Sequence, residues 1–504
     1  MKLKNMLLLL LGVVMLSLSR LPLHLGWLAF VGWIPLLAIF ESGCTSARRL
    51  LQMSFIFSLI YLGVVFYWVG SVTIGGLIGL IILYAGFYFI VFYMIQRVFL
   101  VVPRWRYVAF VCGILSFEFL QNFGENRFPW FNTAYSLADY TVLIQIADLG
   151  GVLGISLLIL LVNLGLYRLL RRKGWSILAV VLIFVSWVGY GVFRMNSIKM
   201  GRIDAGIQVM QPSIPQEDKW DEDQYQMILK RYHELTFAAA EDGAKLVIWP
   251  EAAMPVYLTH DYSRLNDLYE IIESANVDVF TGFPDYAPAP PSHFADKYYY
   301  NAATLFKPKR PPDKIYHKNI LVPIGERMIW LAYFPFLSKL QFGQANWEFG
   351  TELCYYQSGD YIFSPSICYE TAFAGINHRM AIRKEAGRLI KSDYLVNITN
   401  DAWFGTSYGP WLHAMMMKFR AVENRIQIYR SANTGISIII DPLGRVIARA
   451  DLFEIKNISA DLYRTPTIPI IRRIHPYPWL FVILTLLLFG ASLFKRTPDR
   501  KVRL

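Results

Sequence analysis

The sequence predicts a polytopic α-helical membrane unit joined to an α/β layered domain. Three observations carry that reading: apolar runs fill the first 194 residues and return once near the C-terminus, short β-rich runs alternate with helical stretches in between, and charge is segregated between the two parts. Of 504 residues, 55% are hydrophobic and only 17% charged, against about a quarter charged in an ordinary soluble chain. So much apolar side chain also excludes a disordered chain. The net charge is +12, yet between Gly201 and His475 there are 29 basic against 31 acidic residues, so the whole basic excess lies with the apolar runs. That distribution marks a membrane protein and not a nucleic-acid binder.

The apolar runs lie at 5–18, 26–41, 53–70, 73–95, 107–121, 149–169 and 176–193, with another at 479–494. A span needs about 20 mostly apolar residues, fewer where the helix is short or oblique. Lys2 and Lys4 before the first run resemble a signal peptide, but no small-x-small cleavage site follows, so the run is read as a retained helix. With the N-terminus inside, the inner loops hold Arg48, Arg49, Arg97, Arg104, Arg106, Arg168, Arg171, Arg172, Lys173 and the Lys495–Arg503 tail. The outer loops hold only Arg20 and Arg127. The positive-inside rule therefore predicts a seven-span membrane domain at 1–194, an outer domain at 195–477, and a last span with a basic cytoplasmic tail at 478–504. In the 121–148 loop, Pro129–Tyr135 (PWFNTAY) is expected as an interfacial aromatic anchor, or alternatively as a platform near a lipid-facing site. Glu118 lies near the end of its run, where it is expected to be solvated.

Within the outer domain the β-rich runs are Ile203–Gln211, Lys245–Glu251, Val277–Phe283, Asn301–Phe306, Phe363–Glu370, Tyr394–Asp401, Gln427–Asn433, Gly435–Pro442 and Arg445–Ala450. Helical stretches at Asp221–Ala240, Arg264–Ala275, Ala372–Arg388 and Trp411–Arg425 alternate with them. That alternation predicts a layered α/β domain, and about 280 residues suit two packed sheets with helices outside. The Pro-rich stretches Ala287–Pro291 and Pro308–Asp313 are surface loops.

The four cysteines, Cys44, Cys112, Cys354 and Cys368, are too few for a disulfide scaffold. The eight histidines show no HExxH-like spacing, so no metal or other cofactor is expected. Four polar positions sit at or beyond strand ends: Glu251, Lys318, Glu326 and Cys368. Alone, Cys368 reads as a small buried hydrophobe. A thiol becomes a nucleophile when a base takes its proton or a cation favours the thiolate, and a lysine also stabilises an oxyanion. No histidine is placed by local pattern to be the base, which leaves a carboxylate–lysine–thiol set. Spacing alone does not bring these groups together.

The order WPE (Trp249–Glu251), KNILVPIGE (Lys318–Glu326), CYE (Cys368–Glu370) and NDAWFG (Asn400–Gly405) resembles the nitrilase superfamily. With membrane spans on both sides, the chain is similar to the apolipoprotein N-acyltransferase family within it. Further matching strings are Gln211–Trp220, Tyr300–Ala303, Gly409–His413 and Arg420–Arg425, and the likeness covers almost the whole chain. It implies a nitrilase-like αββα sandwich. It further implies Glu251 as proton acceptor, Lys318 as oxyanion stabiliser and Cys368 as nucleophile, with Glu326, Tyr369 and Glu370 in support. Trp220 is either a lid or lipid contact, or an ordinary core aromatic. The implied reaction is the last step of bacterial lipoprotein maturation. A fatty acyl chain passes from a phospholipid, phosphatidylethanolamine by expectation, through a Cys368 thioester to the α-amine of a diacylglyceryl-apolipoprotein. The implied location is the bacterial inner membrane, with the catalytic domain periplasmic and no nucleic acid involved. Two competitors stand beside this reading: a membrane-tethered amidase using water as acceptor, and a transporter or binding scaffold with a decayed enzyme domain. An intact Glu–Lys–Cys–Glu set and spans without paired charges argue against the second.

Overall fold

The structure, a computed structural model, describes residues 2–43, 46–171, 174, 176–219, 221–290, 296–340, 345–472, 474 and 477–495. Cys44, Arg172, Lys173, Trp220 and the tail beyond Lys495 lie outside the described residues. The chain divides into two compact units, Met1–Met195 with Ile470–Leu504, and Asn196–Pro469. The C-terminal helix groups with the first unit.

The first unit is helical: α1 (Leu3–Leu18), α2 (Ile34–Ser42), α3 (Ala47–Val65), α4 (Ile74–Val101), α5 (Arg106–Leu120), α6 (Ala147–Leu170), α7 (Ser176–Ser197) and a C-terminal helix Trp479–Leu493. By length and apolarity α3, α4, α6 and α7 are able to cross a membrane, while Leu3–Leu18, Gly26–Ser42 and Trp479–Leu493 are shorter apolar helices. The second expected span is broken at Trp33, ahead of Pro35, which has no N–H to donate. Asn163 of α6 repairs that break. Its Oδ1 accepts from Trp33 N at 3.0 Å, and its Nδ2 donates to Ala29 O at 2.8 Å. In an apolar medium such freed backbone groups require a protein partner.

Two expectations about this unit are corrected. Trp130, Phe131 and Asn132 are buried inside the unit, not spread along an interface, and Phe131 stacks on Tyr84 with ring centroids 4.0 Å apart. Glu118 is 2% exposed and not solvated. Its Oε1 accepts from Thr133 N at 2.9 Å and Thr133 Oγ1 at 2.7 Å. Arg20, equally buried, donates to the carbonyls of Trp130 at 2.9 Å and Asn132 at 3.2 Å. The loop folds back among the helices, and two charges tie down its backbone.

The second unit is an αββα sandwich, as the resemblance implied. In chain order its main elements are β1 (Ile207–Gln211), α8 (Tyr225–Glu241), β2 (Leu246–Ile248), α9 (Tyr262–Ala275), β3 (Asp278–Pro288), β4 (Lys297–Phe306) and β5 (Tyr316–His317). Then come β6 (Tyr356–Ser358), β7 (Tyr361–Ile367), α10 (Ala374–Ala381), β8 (Tyr394–Thr399), α11 (Gly409–Asn424), β9 (Gln427–Ala432), β10 (Ser437–Ile440), β11 (Val446–Ala450) and β12 (Lys456–Ser459). One six-stranded sheet has the order β12-β1-β2-β3-β4-β5 and the other β11-β10-β9-β8-β7-β6. Each has three parallel strands at its centre, β1-β2-β3 and β7-β8-β9, flanked by antiparallel neighbours. The sheets meet through Phe280 of β3, whose ring lies 5.4 Å from Tyr356 and 5.3 Å from Phe363. On the outer side, Ile228 and Tyr232 of α8 and Leu268, Ile271 and Ile272 of α9 pack over Val247, Trp249 and Val279. These helix residues recur at three- and four-residue spacing, as one buried face demands. The parallel strands matter most for function, because their carboxyl ends open together beyond the core.

Candidate active site

The expected site residues Glu251, Lys318, Glu326, Cys368, Tyr369 and Glu370 all follow strands, and the two sheets bring them to one place. Glu251 lies three residues past β2, Lys318 directly after β5, and Cys368 directly after β7. The chain turns sharply at two of these exits: Ala252 has φ 47° and Cys368 φ 48°, a left-handed conformation that costs a side-chain-bearing residue about 1–3 kcal/mol. Gly282 of β3 makes room for the first turn, since a Cβ there would lie 3.0 Å from Ala252 N and 3.1 Å from Glu251 Cα.

Lys318 is buried between two carboxylates. Its Nζ donates to Glu326 Oε1 at 2.7 Å and stands 3.6 Å from Glu251 Oε1. Asn301 of β4 bridges the pair, donating from Nδ2 to Glu251 Oε1 at 2.6 Å and Glu326 Oε1 at 3.0 Å. The second Glu251 oxygen accepts from Asn400 N at 2.8 Å, and that of Glu326 from Val322 N at 2.8 Å. Burial opposes the Lys318 charge, but Glu326 and Glu251 outweigh it and hold its pKa above the ordinary lysine range. Lys318 is therefore a fixed cation at neutral pH.

Cys368 is partly exposed and carries a free thiol. Burial of its surroundings, then Glu251, push the thiol pKa up, and Lys318 only partly offsets them. The raising effects prevail over the lysine, so the proton stays on sulfur until a base removes it, the part expected of the carboxylate. Glu370 staples the lysine loop to the thiol turn. Its carboxylate accepts from Tyr316 Oη at 2.7 Å, Asn319 N at 2.6 Å and Ile367 N at 2.7 Å. Tyr369 is buried edge-on against Phe373, with ring centroids 5.1 Å apart. Trp220 lies outside the described residues, but its neighbour Lys219 is buried and donates from Nζ to Glu251 O at 3.0 Å.

The sequence reading missed a second group, on the other side of the thiol. One donor atom each of Cys368, Asp401 and His413 lies within 4.8 Å of the others. His413 Nε2 lies 3.1 Å from Cys368 O, and Nδ1 lies 3.0 Å from Asp401 Oδ1. Arg430 donates to Asp401 Oδ2 at 2.6 Å and to Asn397 Oδ1 at 2.5 Å. These three residue types also ligate metals, but here the ring nitrogens and the carboxylate are already engaged by protein groups, which suits a hydrogen-bonded relay. The signal was in the strings GPWLH and NDAWFG, quoted for their likeness without a role for His413 or Asp401.

Comparison with known proteins decides the family. Residues 206–469 match the carbon-nitrogen hydrolase family model. The chain belongs to the carbon-nitrogen hydrolase family. Ahead of that carbon-nitrogen hydrolase domain, residues 12–165 match the apolipoprotein N-acyltransferase N-terminal domain. Among relatives, the chain is 29% identical over 477 residues to an apolipoprotein N-acyltransferase of Chlorobaculum tepidum, covering 87% of this chain and 86% of that one. It is 29% identical over 466 residues to another of Geobacter metallireducens, covering 88% and 86%. A solved amidase of Nesterenkonia sp., 16% identical, covers 55% of this chain and 98% of its own at a TM-score of 0.37.

Proposed function

We propose that the protein transfers a fatty acyl chain from a membrane phospholipid, through a thioester on Cys368, to the N-terminal α-amine of diacylglyceryl-cysteine in apolipoproteins. The observation that carries this reading is the joining, in one chain, of a carbon-nitrogen hydrolase domain to a helical unit of the apolipoprotein N-acyltransferase type. Its likeness to apolipoprotein N-acyltransferases along most of its length supports the same reading.

In the first stage Glu251 takes the Cys368 proton as sulfur attacks the ester carbonyl. Lys318 and the Tyr369 N–H meet the developing oxyanion. The ester C–O bond breaks, the proton passes to the departing glycerol oxygen, and a lysophospholipid leaves. In the second stage the lipoprotein amine attacks the thioester, gives its proton to Glu251 and forms the amide. The C–S bond breaks, and the thiol is restored. A raised thiol pKa and a permanently charged lysine suit this order, in which deprotonation accompanies attack. Glu326 holds the lysine, and Glu370 and Tyr369 hold the turns that carry lysine and thiol. Trp220 is assigned to a lid or lipid contact beside Lys219.

The basic inner loops support a reading in which the helical unit lies in a bacterial cytoplasmic membrane with the catalytic domain on the periplasmic face. A site near the bilayer spares each acyl chain about 0.8 kcal/mol per CH₂ of transfer through water. Phosphatidylethanolamine is the proposed donor. The test incubates the purified protein with labelled phospholipid, with and without a diacylglyceryl-peptide. Label should stay on protein without peptide and move to triacylated peptide when it is added. Release of free fatty acid with no triacylated product would support the amidase instead.

A further inference from the structure

We infer that His413, held by Asp401 and Arg430, is a positioning residue that aims the oxyanion-binding peptide of the nucleophile turn. The inference deepens the acyl-transfer reading above and rests on it. A polar row crosses the second sheet. Ser366, Asn397 and Arg430 lie side by side on β7, β8 and β9 in register. Asn397 donates to Ser366 Oγ at 2.9 Å and accepts from Arg430 at 2.5 Å. All three are buried, and a buried guanidinium requires a countercharge, which Asp401 provides at 2.6 Å. Gly435 admits Asp401 to that position, since a Cβ there would lie 2.6 Å from its Oδ2.

The row ends on the nucleophile. His413 is buried on α11, and its Nε2 faces the main-chain oxygen of Cys368 at 3.1 Å. A carbonyl only accepts, so Nε2 carries the proton. The bare Nδ1 then accepts from Arg430 Nη2 at 3.1 Å, and Asp401, whose Oδ1 lies 3.0 Å from the same nitrogen, holds the ring through the Arg430 guanidinium that its Oδ2 binds at 2.6 Å. Burial and the Arg430 charge lower the His413 pKa, consistent with this neutral tautomer. The ring is thus a fixed donor, with both nitrogens turned to protein groups and neither offered to the thiol.

What it fixes is a peptide plane. Among the described residues no peptide bond is cis, and in a trans peptide the C=O and the N–H point in opposite directions. Anchoring Cys368 O therefore sets the direction of the Tyr369 N–H, the donor assigned to the oxyanion. The left-handed φ of 48° at Cys368 makes the anchor necessary, because that conformation persists only where surrounding contacts hold it. Pairing the reacting turn with a donor on its far side leaves the thiol itself untouched, so oxyanion stabilisation and thiol reactivity are separable.

That separation is the test. Full-length wild type, His413→Leu, His413→Gln and Asp401→Asn are purified, and two rates are followed at Cys368 by mass spectrometry. One is acylation by labelled phospholipid, which passes through an oxyanion. The other is alkylation by iodoacetamide, which does not. His413→Leu should acylate on the order of 10²-fold more slowly, as loss of an oxyanion donor does, with alkylation unchanged. His413→Gln, whose amide still donates, should recover most of the acylation rate. Asp401→Asn should likewise slow acylation, in smaller measure, while alkylation is not slowed and rises somewhat because a charge that raises the Cys368 pKa is lost; it decides the matter if His413→Leu does not fold. Acylation at the wild-type rate in a folded variant, or both rates falling together, would overturn the assignment. Wild type that never acquires label would instead overturn the acyl-transfer reading, and this assignment with it.

Discussion

Two buried charge clusters, one in each unit, use similar side chains to different ends. In the helical unit Arg20 and Glu118 line a cavity of about 10 Å³, room for roughly one water, and spend their hydrogen bonds on the backbone of the Trp130–Thr133 loop. In the sandwich Lys318 is held between Glu251 and Glu326, and its other neighbour is the partly exposed thiol of Cys368. The first cluster is closed: its charges tie down a loop and face no reactive group. The second is open on one side, and its cation is fixed where negative charge would develop. The difference shows that a buried charge signals chemistry only when it stands beside a nucleophile with access to substrate.

The comparison breaks first at the thiol. Cys368→Ala should abolish the acyl-enzyme, because among the described residues no other thiol lies in the cluster; acyl label retained on the variant protein would refute that. Lys318→Ala should slow acyl transfer by on the order of 10²–10³. Lys318→Arg should not recover it, since the planar fork does not fit the ammonium's place between Glu326 and Glu251. Single-turnover rates with labelled phospholipid measure both, and a Lys318→Ala rate near wild type would make the lysine structural.

The closed cluster should respond in stability. Arg20→Leu leaves Glu118 without a nearby cation and two loop carbonyls without their donor. A loss of about 1–3 kcal/mol is expected from the carbonyls left unpaired, read as a lower midpoint of thermal unfolding in detergent, with acylation per folded molecule retained. Loss of acylation in folded protein would show that this loop also serves the reaction.

A smaller effect sharpens the account of the open cluster. The Glu251 carboxylate raises the Cys368 pKa while Lys318 lowers it. Glu251→Gln removes the raising charge and keeps the lowering one, so the thiol should ionise at lower pH. At pH 8 its alkylation by iodoacetamide should then be faster than in wild type, even as acyl transfer fails for want of a base. Slower alkylation would contradict the assigned sign. Least affected should be Cys354→Ser. Cys354 is a free, buried thiol whose Sγ lies 3.7 Å from Ile315 O, and activity should be unchanged.

Much of the site was legible because strand ends are legible. VIWPE and SPSIC are buried runs that end in Glu251 and Cys368; β7 stops at Ile367, one residue short of Cys368, and β2 at Ile248, three short of Glu251. Lys318 and Glu326 were singled out as polar positions, but their separate roles came only through resemblance, since β5 is two residues long and gives no periodic signal. His413, Asp401 and Arg430 were not assigned, because their meeting depends on the side-by-side register of Ser366, Asn397 and Arg430, which spacing along the chain does not encode. Glu118 failed for the opposite reason. Its place near a helix end suggested water, but the loop that follows folds back over it. The run 26–41 was read as unbroken, so neither the break at Trp33 nor its repair by Asn163 was foreseen.

Covalent acyl transfer through Cys368 leaves a mass signature on the protein itself, read by mass spectrometry. Wild type incubated with phospholipid and no acceptor should carry one fatty acyl group on the peptide containing Cys368, and lose it when diacylglyceryl-peptide is added. Triacylated peptide made at the wild-type rate by Cys368→Ala would contradict the account.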